Sequence, residues 1–400
     1  MGRTKRSPAF MVAVAGVYVA LAAFSAYWLG VITDHELGAD FKIYYEAYLE
    51  AVEGGNPYEP YDVGDSFIYH PFALTLVSLF AWPDNTFSAA LRGWVAGSLI
   101  AWIVAIGLTL RVLARHRVSE KLSPAHKVWG SFLFLAFAPF WETLQIGQIN
   151  AFVVLALCAV FDFAERGRQY AAGCALALAL VLKSSPVVLL LYFVVNRHYR
   201  AIVATVAGVV VLSVVAALQF TPQLLWDFAA ITPLLGREIH PTPYNQSLLS
   251  LAFRVLEAGG FPAASWVPAL VVAHKALFAL LLGLLVLAAL MSPPRGDQRL
   301  ALFLAMLTLT VFFSPLVWYH HAALLLLPLG ALIWHPSPRR QVGGLVLLLL
   351  VQSNRLFEYT VVWMAFPALV AEAMLLAFWF GQALQPVGPF WRRFSVASQG

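Results

Sequence analysis

Charge is what this chain has least of. Asp, Glu, Lys and Arg make up only 11% of its 400 residues, against 61% apolar residues, whereas a soluble domain carries about 25% charged residues. A water-soluble globular fold is thereby excluded, and the chain reads as an integral membrane protein. Cysteine is almost missing too. Cys158 and Cys174 both fall in apolar segments, which excludes a disulfide framework or a thiolate metal site and leaves two small packing residues. Nowhere do apolar and polar residues alternate regularly over strand lengths, so the spanning elements are helices and not a barrel. There is no internal repeat, coiled-coil pattern or separate soluble block. The net charge of +5 is dispersed in short clusters that report orientation, and it gives no reason to invoke nucleic acid as a partner.

The scarce basic residues are informative because of where they fall. Arg3/Lys5/Arg6, Arg111/Arg115/Arg117/Lys121/Lys127, Arg166/Arg168, Arg197/Arg200, Arg295/Arg299, Arg339/Arg340 and Arg392/Arg393 hold 18 of the 25 Lys and Arg residues. The positive-inside rule puts all of them in the cytoplasm. A first span at 9–32, retained rather than cleaved, then has to be followed by an outer loop at 33–87 in which 40–53 and 67–82 form two juxtamembrane helices. If 67–82 crossed the membrane, the basic turn after Leu110 would land on the wrong side. Further spans are expected from about residue 88 to 110 and at 126–141, 147–165, 169–182, 185–196, 200–219, 266–291, 298–315, 320–334, 341–353 and 359–383, with a second outer loop at 220–265. This is a single all-α polytopic membrane domain over 1–400, with about 12 transmembrane helices and both termini cytoplasmic.

That topology sorts the unusual polar groups to the outer end. The segment Asp34–Pro71 alone contains nine of the twenty carboxylates and cannot lie in hydrocarbon. Asp40 opens its first helix, where a carboxylate caps backbone N–H groups; the same place suits an ionised, water-poor general base, and the two roles are compatible. Asp34 and Glu36 form an Asp-x-Glu pair, either a divalent-ion pair or solvated acids. Asn56-Pro57-Tyr58 follows Gly54-Gly55 as a turn. Gln148 and Asn150 open a span with amides that bind sugar hydroxyls or cap a helix. Lys183, between two short apolar helices joined by Ser184-Ser185-Pro186, needs an anionic partner such as a lipid phosphate, or else snorkels. His320 and His321, adjacent on one helix, point apart and do not form a two-ligand metal pair; one of them binding a phosphate oxygen fits better than metal, with packing as the alternative.

Taken together these residues resemble the multi-spanning GT-C glycosyltransferases, and among them glycosyltransferase family 87. The matching elements run in order: Asp40-Phe41-x-x-Tyr44-Tyr45, Gly55-Asn56-Pro57-Tyr58, Phe67-x-Tyr69-His70-Pro71, Gly147-Gln148-x-Asn150, Lys183-x-x-Pro186, Asn245-Gln246-Ser247-Leu248 with Arg254, and Ser314-Pro315-x-x-Trp318-x-His320-His321. His70 departs from the Tyr-Pro-Pro common in the family. The resemblance implies a polyprenyl-phosphate-sugar-dependent transferase, mannose being the favoured sugar, that acts on a lipid or glycan acceptor at the extracytoplasmic face of the cell membrane. It implies an inverting displacement with Asp40 as general base and the histidine pair on the donor phosphate. Lys183 and Arg254 join His320 and His321 as expected phosphate ligands, and Tyr44, Asn56, Tyr58, Tyr69, His70, Gln148, Asn150, Asn245 and Gln246 as expected sugar or acceptor ligands. The scheme requires no metal or other cofactor. A transporter or lipid flippase, or a GT-C ligase or polymerase using a diphosphate-linked donor, shares the broken helices. The first would place its polar groups at the midplane, usually with a repeat in two halves.

Overall fold

The computed structural model describes residues 37–59, 66–81, 86–116, 122–234, 239–242, 245–353 and 366–385, together with Gly16. The expected first span at 9–32, the Asp34/Glu36 pair and the start of the last span lie outside the described residues. Within them every regular element is a helix. The chain is an all-α protein, and three of its described helices are long and apolar enough to cross a bilayer: Phe87–Arg115, Tyr199–Gln219 and Ala263–Met291.

Two short helices come first. Helix α1, Ala39–Val52, buries Phe41, Tyr44, Ala47 and Ala51 along one side and exposes Lys42, Glu46, Glu50 and Glu53 on the other. This is the pattern of a helix lying on a surface. It starts after Gly38, whose φ of 81° no side chain adopts cheaply and whose N–H donates to the Gln145 carbonyl at 2.7 Å. Helix α2, Phe72–Ala81, follows Pro71 and packs beside it. The two juxtamembrane helices expected from the sequence are therefore both present as helices.

Helix α3, Phe87–Arg115, is capped by Thr86 and has 29 residues, about 44 Å at 1.5 Å per residue. Its ends mark the two ends of the bundle. Phe87 packs against Phe41 with ring centroids 5.9 Å apart, while Arg111 and Arg115 reach Asp162 at 2.7 and 3.0 Å.

The span expected at 126–141 is instead two helices, α4 (Pro124–Leu135) and α5 (Ala138–Ile146). The cause is Pro139, which has no N–H to return to the Leu135 carbonyl. Trp141 Nε1 takes that carbonyl at 2.7 Å, and Trp102 Nε1 takes the neighbouring Phe134 carbonyl at 2.9 Å. Helices α6 (Asn150–Glu165), α7 (Gln169–Leu182), α8 (Leu189–Val195, entered through a 3-10 turn at Ser185–Val188) and α9 (Tyr199–Gln219) follow. Helices α7 and α9 pack closely on small residues: a Cβ on Gly173 would lie 2.2 Å from the Ala201 carbonyl oxygen.

Residues 220–265 are not a plain loop. They contain α10 (Gln223–Ile231) and α11 (Leu248–Ala258, capped by Ser247), and α12 (Ala263–Met291) begins before they end. Helix α12 is almost wholly outward-facing, the least covered by protein of the three long helices. It is followed by α13 (Asp297–Phe312), a 3-10 turn at Tyr319–Leu325 leading into α14 (Leu326–Ile333), α15 (Pro338–Ser353) and α16 (Phe366–Ala383). Pro315 ends the first of these runs, as the sequence anticipates.

Candidate active site

The turn Gly147-Gln148-Ile149-Asn150, between α5 and α6, builds the site. Gly147 sits at φ 72°, and a Cβ there would lie 2.5 Å from Cβ of Phe41, the neighbour of Asp40. The absence of that atom lets the turn approach the first turn of α1. Gln148 then lies across from Asp40, and its orientation is dictated: Oε1 accepts the Ile149 N–H at 3.0 Å and the Tyr69 hydroxyl at 3.3 Å, so Nε2 must face outward as donor. It donates to Asp40 Oδ2. Behind it the Tyr44 hydroxyl donates to the Tyr69 oxygen at 3.1 Å. The carboxylate of Asp40 is thus turned to a group 108 positions away in sequence rather than spent on its own helix end.

Asp40 is half-buried and wedged beside a wall of aromatic rings. Phe41 and Tyr44 both pack on the fully buried Trp94, at 5.2 and 6.1 Å between ring centroids. Burial raises the Asp40 pKa to about 6; the Gln148 amide and the positive charge of Lys183 pull it back down. Desolvation wins, giving a carboxylate that is ionised near neutrality yet more basic than one in water.

Two residues further along the same turn, Asn150 connects the remaining groups. Fully buried, it accepts from Lys183 Nζ on Oδ1 at 3.1 Å and donates from Nδ2 to the His320 carbonyl at 3.2 Å. Lys183, just past the end of α7, is an electrostatic neighbour of both Asp40 and His321. The rings of His320 and His321 stand perpendicular, 4.7 Å apart. The ring of His321 is engaged locally, since its Nδ1 accepts the Trp318 N–H at 3.1 Å. Four distant stretches, at residues 40, 148–150, 183 and 318–321, therefore meet at one end of the bundle.

The other expected ligands form the frame. Asn56 Oδ1 accepts the Tyr58 N–H at 3.2 Å, an Asx turn, and the buried Tyr58 hydroxyl donates to the Tyr69 carbonyl at 2.7 Å. His70 accepts from Phe72 N–H at 3.1 Å and pairs with Ser213 Oγ at 3.1 Å, stacked edge-on against Phe228. Burial lowers its pKa to about 4, so the ring is neutral. Asn245 uses its whole amide: Oδ1 accepts from Ser247 and Val317 N–H at 3.1 and 3.0 Å, and Nδ2 donates to the His240 and Pro315 carbonyls at 2.9 and 3.3 Å. The Gln246 N–H donates to the Val317 carbonyl at 2.6 Å. Arg254 stands behind this staple on α11.

At the opposite end, where the sequence suggests basic anchors alone, the structure shows more. Asp162, fully buried, is held by Arg111 at 2.7 Å, Arg115 at 3.0 Å and Arg166 at 3.2 Å, while Glu165 meets Arg299 at 3.1 Å. The signal was present as an Asp inside an apolar run four positions before an Arg. Glu372 is likewise buried, in α16, with an unpartnered oxygen.

Comparison with known proteins bears on what this geometry does. The sequence profile described as glycosyltransferase family 87 matches residues 67–316, so Asp40 and the histidine pair flank the matched region. Two relatives bear the same name, polyprenol-phosphate-mannose-dependent alpha-(1-2)-phosphatidylinositol mannoside mannosyltransferase. The protein of Mycobacterium tuberculosis is 31% identical over 153 residues, 36% of this chain and 34% of the relative. That of Mycolicibacterium smegmatis is 30% identical over 155 residues, 37% of this chain and 34% of the relative. The chain thus spans about a third of the length of these curated relatives.

Proposed function

Starting from the fact that this chain belongs to glycosyltransferase family 87, we propose that it is a membrane mannosyltransferase, taking the sugar from a polyprenyl phosphate and passing it to a hydroxyl of a lipid or glycan acceptor. The donor class is the one named in both relatives. The observation that carries the proposal is the meeting of one half-buried carboxylate with one half-buried cation. Asp40 is poised as a base, and Lys183, its electrostatic neighbour, is held by Asn150 at 3.1 Å.

In the reaction, Asp40 Oδ1, the oxygen not bound by Gln148, takes the proton of the acceptor hydroxyl. The acceptor oxygen forms a bond to the anomeric carbon as the bond from that carbon to the phosphate oxygen breaks, with inversion. The departing polyprenyl phosphate gains negative charge, which Lys183 stabilises together with the nearby His320/His321 pair. About 12 spans, an extracytoplasmic site and cytoplasmic termini complete the reading. It is supported by the clustering of Arg111, Arg115, Arg166 and Arg299 at the end of the bundle away from Asp40.

Asp40→Asn tests it. Transfer of labelled mannose from polyprenyl-phosphate mannose should fall by about 10²–10⁴-fold, the usual contribution of a positioned base, with donor binding retained. Wild-type turnover in this variant would remove Asp40 from the mechanism.

A further inference from the structure

Arg254 is a second cation, and the mechanism above makes no use of it. It is 5% exposed. It makes two long hydrogen bonds to backbone carbonyls, Nε to Ser250 at 3.4 Å and Nη2 to Asn245 at 3.5 Å, while Nη1 is buried without any partner. No carboxylate among the described residues pairs with it. A guanidinium held this way has given up its water without receiving an anion, which is costly unless an anion arrives.

Its position says which anion. Asn245, whose carbonyl Arg254 contacts, accepts the Val317 N–H, and the next residue, Trp318, donates its N–H to His321. Arg254 is therefore one link behind the loop that leads into the histidine pair. Lys183 approaches the same pair through Asn150, from the side of Asp40. The two cations stand on different supports: Lys183 on Asn150, and Arg254 on Asn245, which is bonded to the Ser314–Trp318 loop at Val317. Helix α11, which carries Arg254, turns through Gly259-Gly260 into α12, the most outward-facing of the three long helices. Arg254 is thus carried by a helix that leads directly into the most outward-facing span and is linked through Asn245 to the loop that enters the site.

We propose that Arg254 binds the phosphodiester of a lipid acceptor, separately from the donor phosphate beside Lys183, and so selects acceptors that carry a phosphodiester over those that do not. The planar fork of arginine suits the paired oxygens of a phosphodiester, and Nη1 supplies the missing donor. This rests on the transferase reading for the identity of the ligand but is tested by binding, which needs no turnover.

The full chain in detergent micelles is titrated with four probes: phosphatidylinositol monomannoside, an alkyl mannoside without phosphate, polyprenyl-phosphate mannose, and phosphatidylglycerol as a bulk bilayer lipid. The wild type is expected to bind the monomannoside about tenfold or more tightly than the alkyl mannoside, the worth of one charge-assisted hydrogen bond. Arg254→Gln should abolish that preference and leave the affinity for polyprenyl-phosphate mannose unchanged; Arg254→Lys, which keeps the charge, should retain part of it. Equal wild-type affinity for the two mannosides overturns the proposal whether or not any variant folds. Weakened binding of polyprenyl-phosphate mannose in Arg254→Gln would move Arg254 to the donor phosphate. An equal loss for phosphatidylglycerol would make the site one for bilayer lipid, and unchanged binding of all four would make Arg254 structural. Loss of transfer in Asp40→Asn reports only on the reaction, so the two readings fail separately.

Discussion

At the scale of single residues, the proposed chemistry turns on how Asp40 is kept basic and ionised at once. Burial raises its pKa to about 6, and the Gln148 amide opposes that rise. The base works only when deprotonated, so transfer is expected to fall as pH drops through about 6 and to level off above it. Gln148→Ala removes a donor that favours the charged form, so the acid limb should move to higher pH with donor affinity preserved; an unmoved limb would mean that Gln148 does not act on Asp40. Asp40 and Lys183 are legible in the sequence because ionisable groups among apolar helices demand a reason. Gln148, Asn150 and Asn245 are legible as unusual but not as to role. An amide that binds a sugar and one that holds a side chain in place look alike until its partners, 108 or 72 positions away, are known.

At the scale of elements, one turn sets the geometry. Gly147 combines a left-handed φ with closest approach to Phe41, so the turn can be neither extended nor thickened without moving α1. Gly147→Ala is expected to cost about 1–3 kcal/mol, from the positive φ and the displaced Phe41. It should also lower transfer by more than that stability loss explains, because Asp40 shifts away from Lys183. Thermal unfolding and turnover measured on the same preparation separate the two effects. The sequence reading expected a helix opening at this place but not the close contact, since periodicity describes a helix and not its neighbours. Likewise the span expected at 126–141 is two helices. Apolar composition runs from Phe132 to Trp141 with no polar residue, yet Pro139 removes one backbone donor and two tryptophan indoles supply the bonds that make the break stable.

At the scale of the whole molecule, the polar groups sit at two ends of an apolar bundle, and the ends differ in kind. One gathers Asp40, Lys183 and the histidine pair. The other gathers Arg111, Arg115, Arg166 and Arg299 around Asp162 and Glu165. Helix α3 joins the two, and its roughly 44 Å exceeds the ~30 Å of a hydrocarbon core. In the proposed topology the basic end faces the cytoplasm and the candidate site faces the other side, where a lipid-linked sugar, rather than a nucleotide sugar, would serve as donor. Single-cysteine labelling decides it in a background with Cys158 and Cys174 replaced. Glu53→Cys, exposed at the end of α1, should react with an impermeant maleimide added to intact cells, and Arg339→Cys, exposed at the start of α15, only after the membrane is opened. Labelling of both positions from the same side would break the link between the basic end and the cytosol. The transfer reaction would then have to be fed from the face where Arg339 lies.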